Sequence, residues 1–368
     1  MPMNRPFRHI AALGVLAAAW AAPATAANAE VDYATRLSEG DVILKNFTFA
    51  SGETLAELRM HYATLGTPQR DAEGRITNAV MVLHGTGGSG RQFLAPQFAQ
   101  ELYGPGQPLD ITKYFIILPD NIGHGQSSKP SDGLRMAFPK YDYADMVEAQ
   151  RRMLVEGLKV TRLRLLIGTS MGCMHGFMWG ELHPDFAQAL MPMACLPMEI
   201  AGHNRMWRKA AMHGIMSDPA WNNGNYETQP VLGLRTAVSL LQVAGFAPLY
   251  LQKQYPNRAS ADAYIVERIE SDIARRDAND LIYQLDASRT YDPSKDLEKI
   301  IAPMTWVNSS DDFINPWDYG LAEKFAARLK NGRYVLIKAT DDTRGHSTHT
   351  WARFWKDELI DLLKRSEK

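Results

Sequence analysis

Leu165-Leu166-Ile167-Gly168-Thr169-Ser170-Met171-Gly172 is the stretch on which the reading of this chain turns. An apolar run ends in Gly-x-Ser-x-Gly, and a small-residue helical pattern follows. A strand that turns sharply into a helix leaves the serine at the apex of the turn, with its backbone strained. Side chains two positions either side of that serine would collide with the neighbouring strand and helix, so Gly168 and Gly172 fit the turn for steric reasons. The helix N-terminus behind Ser170 would direct N–H groups at negative charge forming beside it. A strand-to-helix turn that merely contains a serine is the plain alternative. The surrounding chain decides between the two by supplying, or failing to supply, a base, an acid and a site for an oxyanion.

Upstream, residues 42–50 and 55–64 alternate apolar and polar side chains around Ser51-Gly52, which predicts an antiparallel hairpin. Short, nearly continuous apolar runs at 79–83, 114–118, 164–167, 189–194, 304–307 and 334–337 predict strands of a sheet covered on both faces. Helical spacing of apolar residues appears at 92–102, 143–158, 174–183 and 351–363. Strands alternating with helices predict the α/β class, with a mostly parallel, doubly wound sheet. Residues 197–300 break the rhythm, because they carry helical patterns at 231–244 and 260–285 and no strand. They are expected to form a helical cap inserted between the fourth and fifth parallel strands, over a core made of 30–196 and 301–368. Ligands in open α/β sheets bind at the strands' C-terminal edge, so a cap there would wall the pocket. Met206, Trp207, Met212, Met216 and Trp221 crowd the start of the cap, either packing it or lining that pocket.

The chain has 368 residues, of which 45% are hydrophobic and 22% charged, as in globular proteins. A net charge of −1 without any basic run argues against nucleic acid as a partner. Residues 1–29 have the form of a secretory signal. Arg5 and Arg8 precede an uncharged segment, and Ala24-Thr25-Ala26 and Ala27-Asn28-Ala29 offer cleavage sites. The apolar segment is too short to span a bilayer, so no stable membrane anchor is expected after cleavage. A periplasmic or secreted location follows as the expectation. Cys173 and Cys195 could bond in such a compartment, but buried free cysteine is common and two free thiols are the expectation. No Cys/His spacing suggests a zinc site.

A serine hydroxyl is a weak nucleophile until a base sits within hydrogen-bond reach and an acid orients that base. Acids lie in Asn308-Ser309-Ser310-Asp311-Asp312-Phe313-Ile314-Asn315-Pro316, directly after the 304–307 run. Asp311 and Asp312 both qualify, and either could instead cap a following helix. The base candidate is His346 in Arg344-Gly345-His346-Ser347-Thr348-His349, between the last strand and the last helix, with His349 as the runner-up. A glycine-rich loop, His84-Gly85-Thr86-Gly87-Gly88-Ser89-Gly90, follows the first buried strand, and no Lys-Ser/Thr follows it as a phosphate loop would require. Asp120-Asn121-Ile122-Gly123-His124-Gly125-Gln126-Ser127 is read as a structural turn.

With these residues in the order serine, acid, histidine, the chain resembles the α/β-hydrolases. Within them it is similar to the homoserine O-acetyltransferase branch. The likeness rests on Met60-His61-Tyr62-Ala63-Thr64-Leu65-Gly66, Asn78-Ala79-Val80 and Tyr143-Ala144-Asp145-Met146-Val147-Glu148-Ala149-Gln150. Gly168-Thr169-Ser170-Met171-Gly172-Cys173-Met174 and Asp277-Ala278-Asn279 add to it. It spans most of residues 40–368 and is weakest in the cap. The resemblance implies Ser170, Asp312 and His346 as the catalytic residues, with Asp311 as the alternative acid. It also implies backbone N–H groups of Met171 and Thr86 as the oxyanion hole. No metal or cofactor is implied. The chain departs from the branch at His84-Gly85-Thr86-Gly87-Gly88, at Thr169 in the turn and at Ser347 after the base. The branch's cap arginine pattern is matched poorly by Gly233-Leu234-Arg235-Thr236-Ala237. These departures favour water as the acyl acceptor. The expected function is a secreted serine hydrolase of small-molecule carboxylic esters, working through an acyl-serine. An O-acyltransferase on the same three residues is the alternative, and a non-catalytic binding protein is disfavoured. A homodimer is compatible with the sequence.

Overall fold

The computed structural model describes residues 30–367, so the expected signal segment at 1–29 lies outside the described residues. The strands are β1 (Ser38–Thr48), β2 (Thr54–Leu65), β3 (Ala79–Leu83), β4 (Phe115–Pro119), β5 (Leu165–Thr169), β6 (Leu190–Met193), β7 (Met304–Ser309) and β8 (Gly332–Ile337). They form one sheet in the order β1-β2-β4-β3-β5-β6-β7-β8. The hairpin runs antiparallel from Ser38↔Thr64 to Thr48↔Thr54, so β1 begins four residues earlier than its alternation suggested. β2 pairs antiparallel with β4, and every later pairing is parallel. All residues of β3 to β7 are buried, as continuous apolar runs require when helices cover both faces.

Helices α1 (Pro96–Leu102), α2 (Tyr143–Arg152) and α3 (Met171–Leu182) follow β3, β4 and β5. Pro96 opens α1, where its missing N–H costs nothing, and the residues before it form a separate 3₁₀ turn. Asp142 and Asp145 make a reciprocal capping box at the start of α2, and a π turn at Met153–Gly157 extends it.

Between β6 and β7 lie α4 (Gly202–Met216), α5 (Val231–Ala244), α6 (Pro248–Gln254), α7 (Arg258–Ile273) and α8 (Ala278–Asp286). They carry a small core of their own, in which Met212, Ile215, Trp221, Leu234, Leu281 and Leu285 are buried together. The Met/Trp cluster therefore divides. Met212 and Trp221 pack this insertion, Trp207 lines a cavity, and Met206 and Met216 are exposed. The helical pattern at 260–285 is two helices rather than one. Asp277 accepts hydrogen bonds from the N–H groups of Asn279 and Asp280 and starts α8 anew, so α7 cannot run through it. The chain ends with α9 (Ala322–Ala326), β8 and α10 (Lys356–Arg365). No single described helix is long and apolar enough to cross a membrane.

The expectation of two free thiols is overturned: Cys173 and Cys195 form a disulfide. Cys173 lies in the first turn of α3 and Cys195 just past β6, and the parallel pairing of β5 with β6 brings their Cα atoms to 5.9 Å. That distance is in the range a disulfide needs. Linear spacing could not show it.

Candidate active site

β5 ends at Thr169, α3 begins at Met171, and Ser170 between them has φ 55° and ψ −111°. A left-handed φ on a serine costs about 1–3 kcal/mol and survives only where its surroundings fix it. Here the N–H of Ser170 donates to Met193 O at 2.8 Å and the N–H of Gly172 to His84 O at 3.1 Å. The two glycines are sterically required. A Cβ on Gly168 would lie 1.9 Å from Gly172 O, and one on Gly172 would lie 2.3 Å from Leu83 O.

The hydroxyl at this apex meets the histidine expected for it. Ser170 Oγ and His346 Nε2 are 2.8 Å apart, and His346 Nδ1 is 2.9 Å from Asp312 Oδ2. A carboxylate only accepts, so Nδ1 carries the proton and donates to Asp312. Nε2 is left with its lone pair toward the serine. Asp312 is buried, and burial alone would raise its pKa. The attraction of His346 and hydrogen bonds from His346, the Asn315 side chain and the Ile314 N–H outweigh burial and hold the carboxyl below the usual range.

Asp311 and His349 stand beside this chain without joining it. Asp311 accepts from Thr343 Oγ1 at 2.6 Å and from the Gly345 N–H at 3.0 Å, which ties the histidine loop to the acid loop. His349 donates from Nδ1 to the carbonyl of His346. Burial, and then the neighbouring His346, pull the His349 pKa to about 3, so it stays neutral and buttresses the loop. Gly345, at φ 55°, is needed because a Cβ there would come within 2.7 Å of Phe246 O on the insertion.

Ser170 and His346 open into a cavity of about 450 Å³, also lined by Thr86, Trp207 and Arg208. Met171 is the first residue of α3, where the helix offers its N–H no acceptor. The Gly88 N–H closes a turn onto Gly85 O at 3.0 Å, and Thr86 occupies the apex of that turn on the cavity wall. Beneath it, His84 Nε2 accepts from the Asn121 N–H at 3.1 Å, so its Nδ1 carries the proton and donates to Gly85 O at 2.8 Å. Asn121 in turn takes a bond from Gln150, whose Oε1 accepts from Trp179 Nε1 at 2.7 Å. The 120–127 turn thus supports the glycine-rich loop from below.

Sequence reading missed two arginines at this cavity. Arg208 of α4 is 2% exposed, bonded through Nε to Asn204 and stacked 4.7 Å over Trp207. Arg276 enters from the break between α7 and α8. Arg235, in the segment that matched the branch's arginine pattern only poorly, faces solvent and pairs with Glu270. The only sequence signals were Asn204 four residues before Arg208, and an Arg-Arg pair just before Asp277. No group of three or more His, Cys, Asp or Glu side chains among the described residues is placed to hold a metal ion.

Comparison with known proteins agrees with this architecture. Residues 78–350 match the family described as alpha/beta hydrolase fold. Over 263 residues the chain is 31% identical to a probable acyltransferase of Methanothermobacter thermautotrophicus, covering 70% of this chain and 78% of that protein. It is 29% identical over 332 residues to a homoserine O-acetyltransferase of Pelobacter propionicus, with 80% and 87% covered. Among solved structures it resembles an acetylester hydrolase from Corynebacterium glutamicum, with a TM-score of 0.78 over 89% of this chain and 96% of that one. Sequence identity there is 20%, so that likeness is one of fold.

Proposed function

Because the chain belongs to the α/β-hydrolase fold family, in its homoserine O-acetyltransferase-like branch, we propose that it hydrolyses carboxylic esters through an acyl-enzyme on Ser170. At the coarser level it is an enzyme of that superfamily, an acyltransferase or an esterase. The observation that supports an acyl-enzyme on Ser170, common to hydrolysis and transfer, is the unbroken chain Ser170 Oγ, His346, Asp312, whose serine end faces a cavity, and water as the acceptor rests on the departures from the transferase pattern at 84–88, Thr169 and Ser347.

In this reading His346 Nε2 takes the proton of Ser170 as Oγ attacks the ester carbonyl. Negative charge on the carbonyl oxygen is held by the N–H groups of Met171 and Thr86. His346 then returns the proton to the departing alcohol, leaving an acyl ester on Ser170. Water enters, gives its proton to the same Nε2 and releases the acid, and the proton passes back to Ser170. Asp312 keeps its charge throughout and stabilises the imidazolium. The test is a chain-length panel of nitrophenyl esters with wild type and Ser170→Ala, alongside fluorophosphonate labelling. Turnover and labelling that vanish with Ser170 support the reading, whereas turnover that survives Ser170→Ala defeats it.

A second reading replaces water by a bound alcohol in the deacylation step, as the names of the two sequence relatives suggest. Incubation with an acyl donor, with and without homoserine, separates the two readings. Acetylhomoserine formed faster than free acid would favour the transferase. We also propose an exported protein, on the signal-like residues 1–29. The Cys173–Cys195 disulfide supports it, since such bonds persist in oxidising compartments.

A further inference from the structure

The loop that carries His346 is held from two sides. On the side of β7, Asp311 accepts from Thr343 Oγ1 and from the Gly345 N–H. On the other side the loop meets the insertion, where α5 turns into α6. A Cβ on Gly345 would lie 2.7 Å from Phe246 O and 3.3 Å from Ala247 Cα, so backbone rests against backbone there. Arg344, one residue earlier, adds a side-chain contact. Its guanidinium carbon lies 3.5 Å from the centre of the Tyr250 ring on α6 and 4.5 Å from that of Trp351. Both distances are well inside the roughly 6 Å over which a ring face attracts a cation. Tyr250, Arg344 and His346 all line the active-site cavity.

Arg344 is also part of the framework around the base. Its N–H donates to Thr348 Oγ1 at 2.8 Å, and its carbonyl accepts from the Ser347 N–H at 3.0 Å. Its Nη1 donates to the carbonyl of Asp342. These bonds close the chain around His346, so a shift of Arg344 is passed on to the imidazole. No carboxylate forms an ion pair with Arg344 among the described residues, which leaves ring faces and loop carbonyls as its partners. A planar, weakly hydrated guanidinium suits such stacking. Lys253 of α6 also reaches this loop, pairing with Asp341 at 2.8 Å. Both of those side chains are exposed, and an exposed ion pair contributes little. The ring contact is therefore the firmer tie.

We propose that Tyr250 and Arg344 are positioning residues for the base. The Tyr250 ring holds Arg344, Arg344 holds the loop, and His346 Nε2 meets Ser170 Oγ only while this part of the insertion is docked. The insertion then does more than wall the cavity, because it sets the geometry of proton transfer. Tyr250 acts through Arg344 and needs no contact with the substrate. This inference rests on the reading of Ser170 as nucleophile and His346 as its base, and it holds equally for hydrolysis and for transfer.

The experiment measures kcat and KM for several nitrophenyl esters, and the rate of fluorophosphonate labelling of Ser170, on the whole protein. Tyr250→Leu is expected to lower kcat about tenfold, by the same factor for every ester, with KM changed less than about twofold, since a displaced base affects chemistry rather than binding. Labelling should slow to match. Tyr250→Phe keeps the ring and is expected to stay near wild type. Arg344→Met is expected to lose at least as much as Tyr250→Leu, and Arg344→Lys to recover part of it. The double variant Tyr250→Leu with Arg344→Met is expected to lose no more than Arg344→Met alone, because both belong to one contact. Losses that multiply in the double variant, that fall on KM alone or that differ from ester to ester would make Tyr250 a substrate contact and overturn the inference. Unchanged kcat and labelling in Tyr250→Leu would overturn it too. If Tyr250→Leu does not fold, the Arg344 variants decide, and full kcat in Arg344→Met overturns it. A wild type that neither labels nor turns over any ester takes down the reading of Ser170 and the inference with it.

Discussion

The proton on His346 Nδ1 fixes what Ser170 can do, and Asp312 fixes that proton. An amide in its place can donate to Nδ1 and force the other tautomer, with N–H toward the serine. Asp312→Asn is therefore expected to lower kcat by about four orders of magnitude. Ser170→Ala is expected to lose at least as much. Steady-state ester kinetics on folded protein check both. Asp311→Asn is a different experiment. It leaves the tautomer alone and weakens the tie from the acid loop to Thr343 and Gly345. A base loop displaced by an ångström costs about 100-fold, so a loss of that order is expected, well short of the Asp312 variant. Equal losses in the two variants would mean that the acid assignment is wrong. Residue chemistry alone left both aspartates open and only the family resemblance favoured Asp312, since adjacent residues share the same loop and composition; in the structure it is Asp312 that meets His346 Nδ1.

At the scale of the element, the turn from β5 into α3 admits little variation. Gly172→Ala would push a Cβ to 2.3 Å from the backbone of β3, and the expected outcome is insoluble or unfolded protein. A gentler probe is the disulfide, which ties the first turn of α3 to the end of β6 across 22 residues. Next to it, Ala194 holds φ 66°, and its carbonyl accepts from Asn315 Nδ2 at 3.0 Å, three residues from the acid. Losing the cross-link through Cys173→Ser with Cys195→Ser is expected to cost about 3 kcal/mol, on the chain-entropy account of a loop this long. Denaturant melts of the double variant, and of wild type with and without reductant, measure it. The turn was legible because glycine and serine at fixed offsets encode local geometry. The disulfide was not, because it depends on which strand β5 pairs with.

Across the whole molecule, stability should depend on pH through titratable groups held wholly or partly out of water. Burial, and then the nearby Asp296, raise the Glu181 pKa to about 8, and burial raises that of Asp280 to about 6. Both folded pKa values exceed the unfolded ones, so the folded state favours the protonated forms. Their contribution is complete below pH 4 and is lost as pH rises, through about 6 for Asp280 and about 8 for Glu181. His175, which is buried, and His349, on the wall of the active-site cavity, work in the opposite sense. Burial pulls both to about 3 from the usual 6.5, so stability falls as pH drops from 6.5 toward 3. The expected profile of Tm against pH is a dome with a decline on each side. Glu181→Gln is expected to flatten the alkaline side between pH 5 and 8, and an unchanged slope would contradict the assignment.

What the sequence determined by itself was whatever short-range chemistry encodes. Apolar runs marked the strands, Gly168-Thr169-Ser170-Met171-Gly172 marked the turn, and Gly345-His346 marked the loop that follows the last strand. Tertiary structure decided the rest, because each of those outcomes needs groups remote in the chain. It selected Asp312 over Asp311 as the partner of His346, joined Cys173 to Cys195, and broke the helix before Asp277. It also placed Arg208 and Arg276, rather than Arg235, on the wall of the cavity that holds Ser170. A side chain's type is written in the sequence, but the direction it faces is fixed only when distant elements close around it.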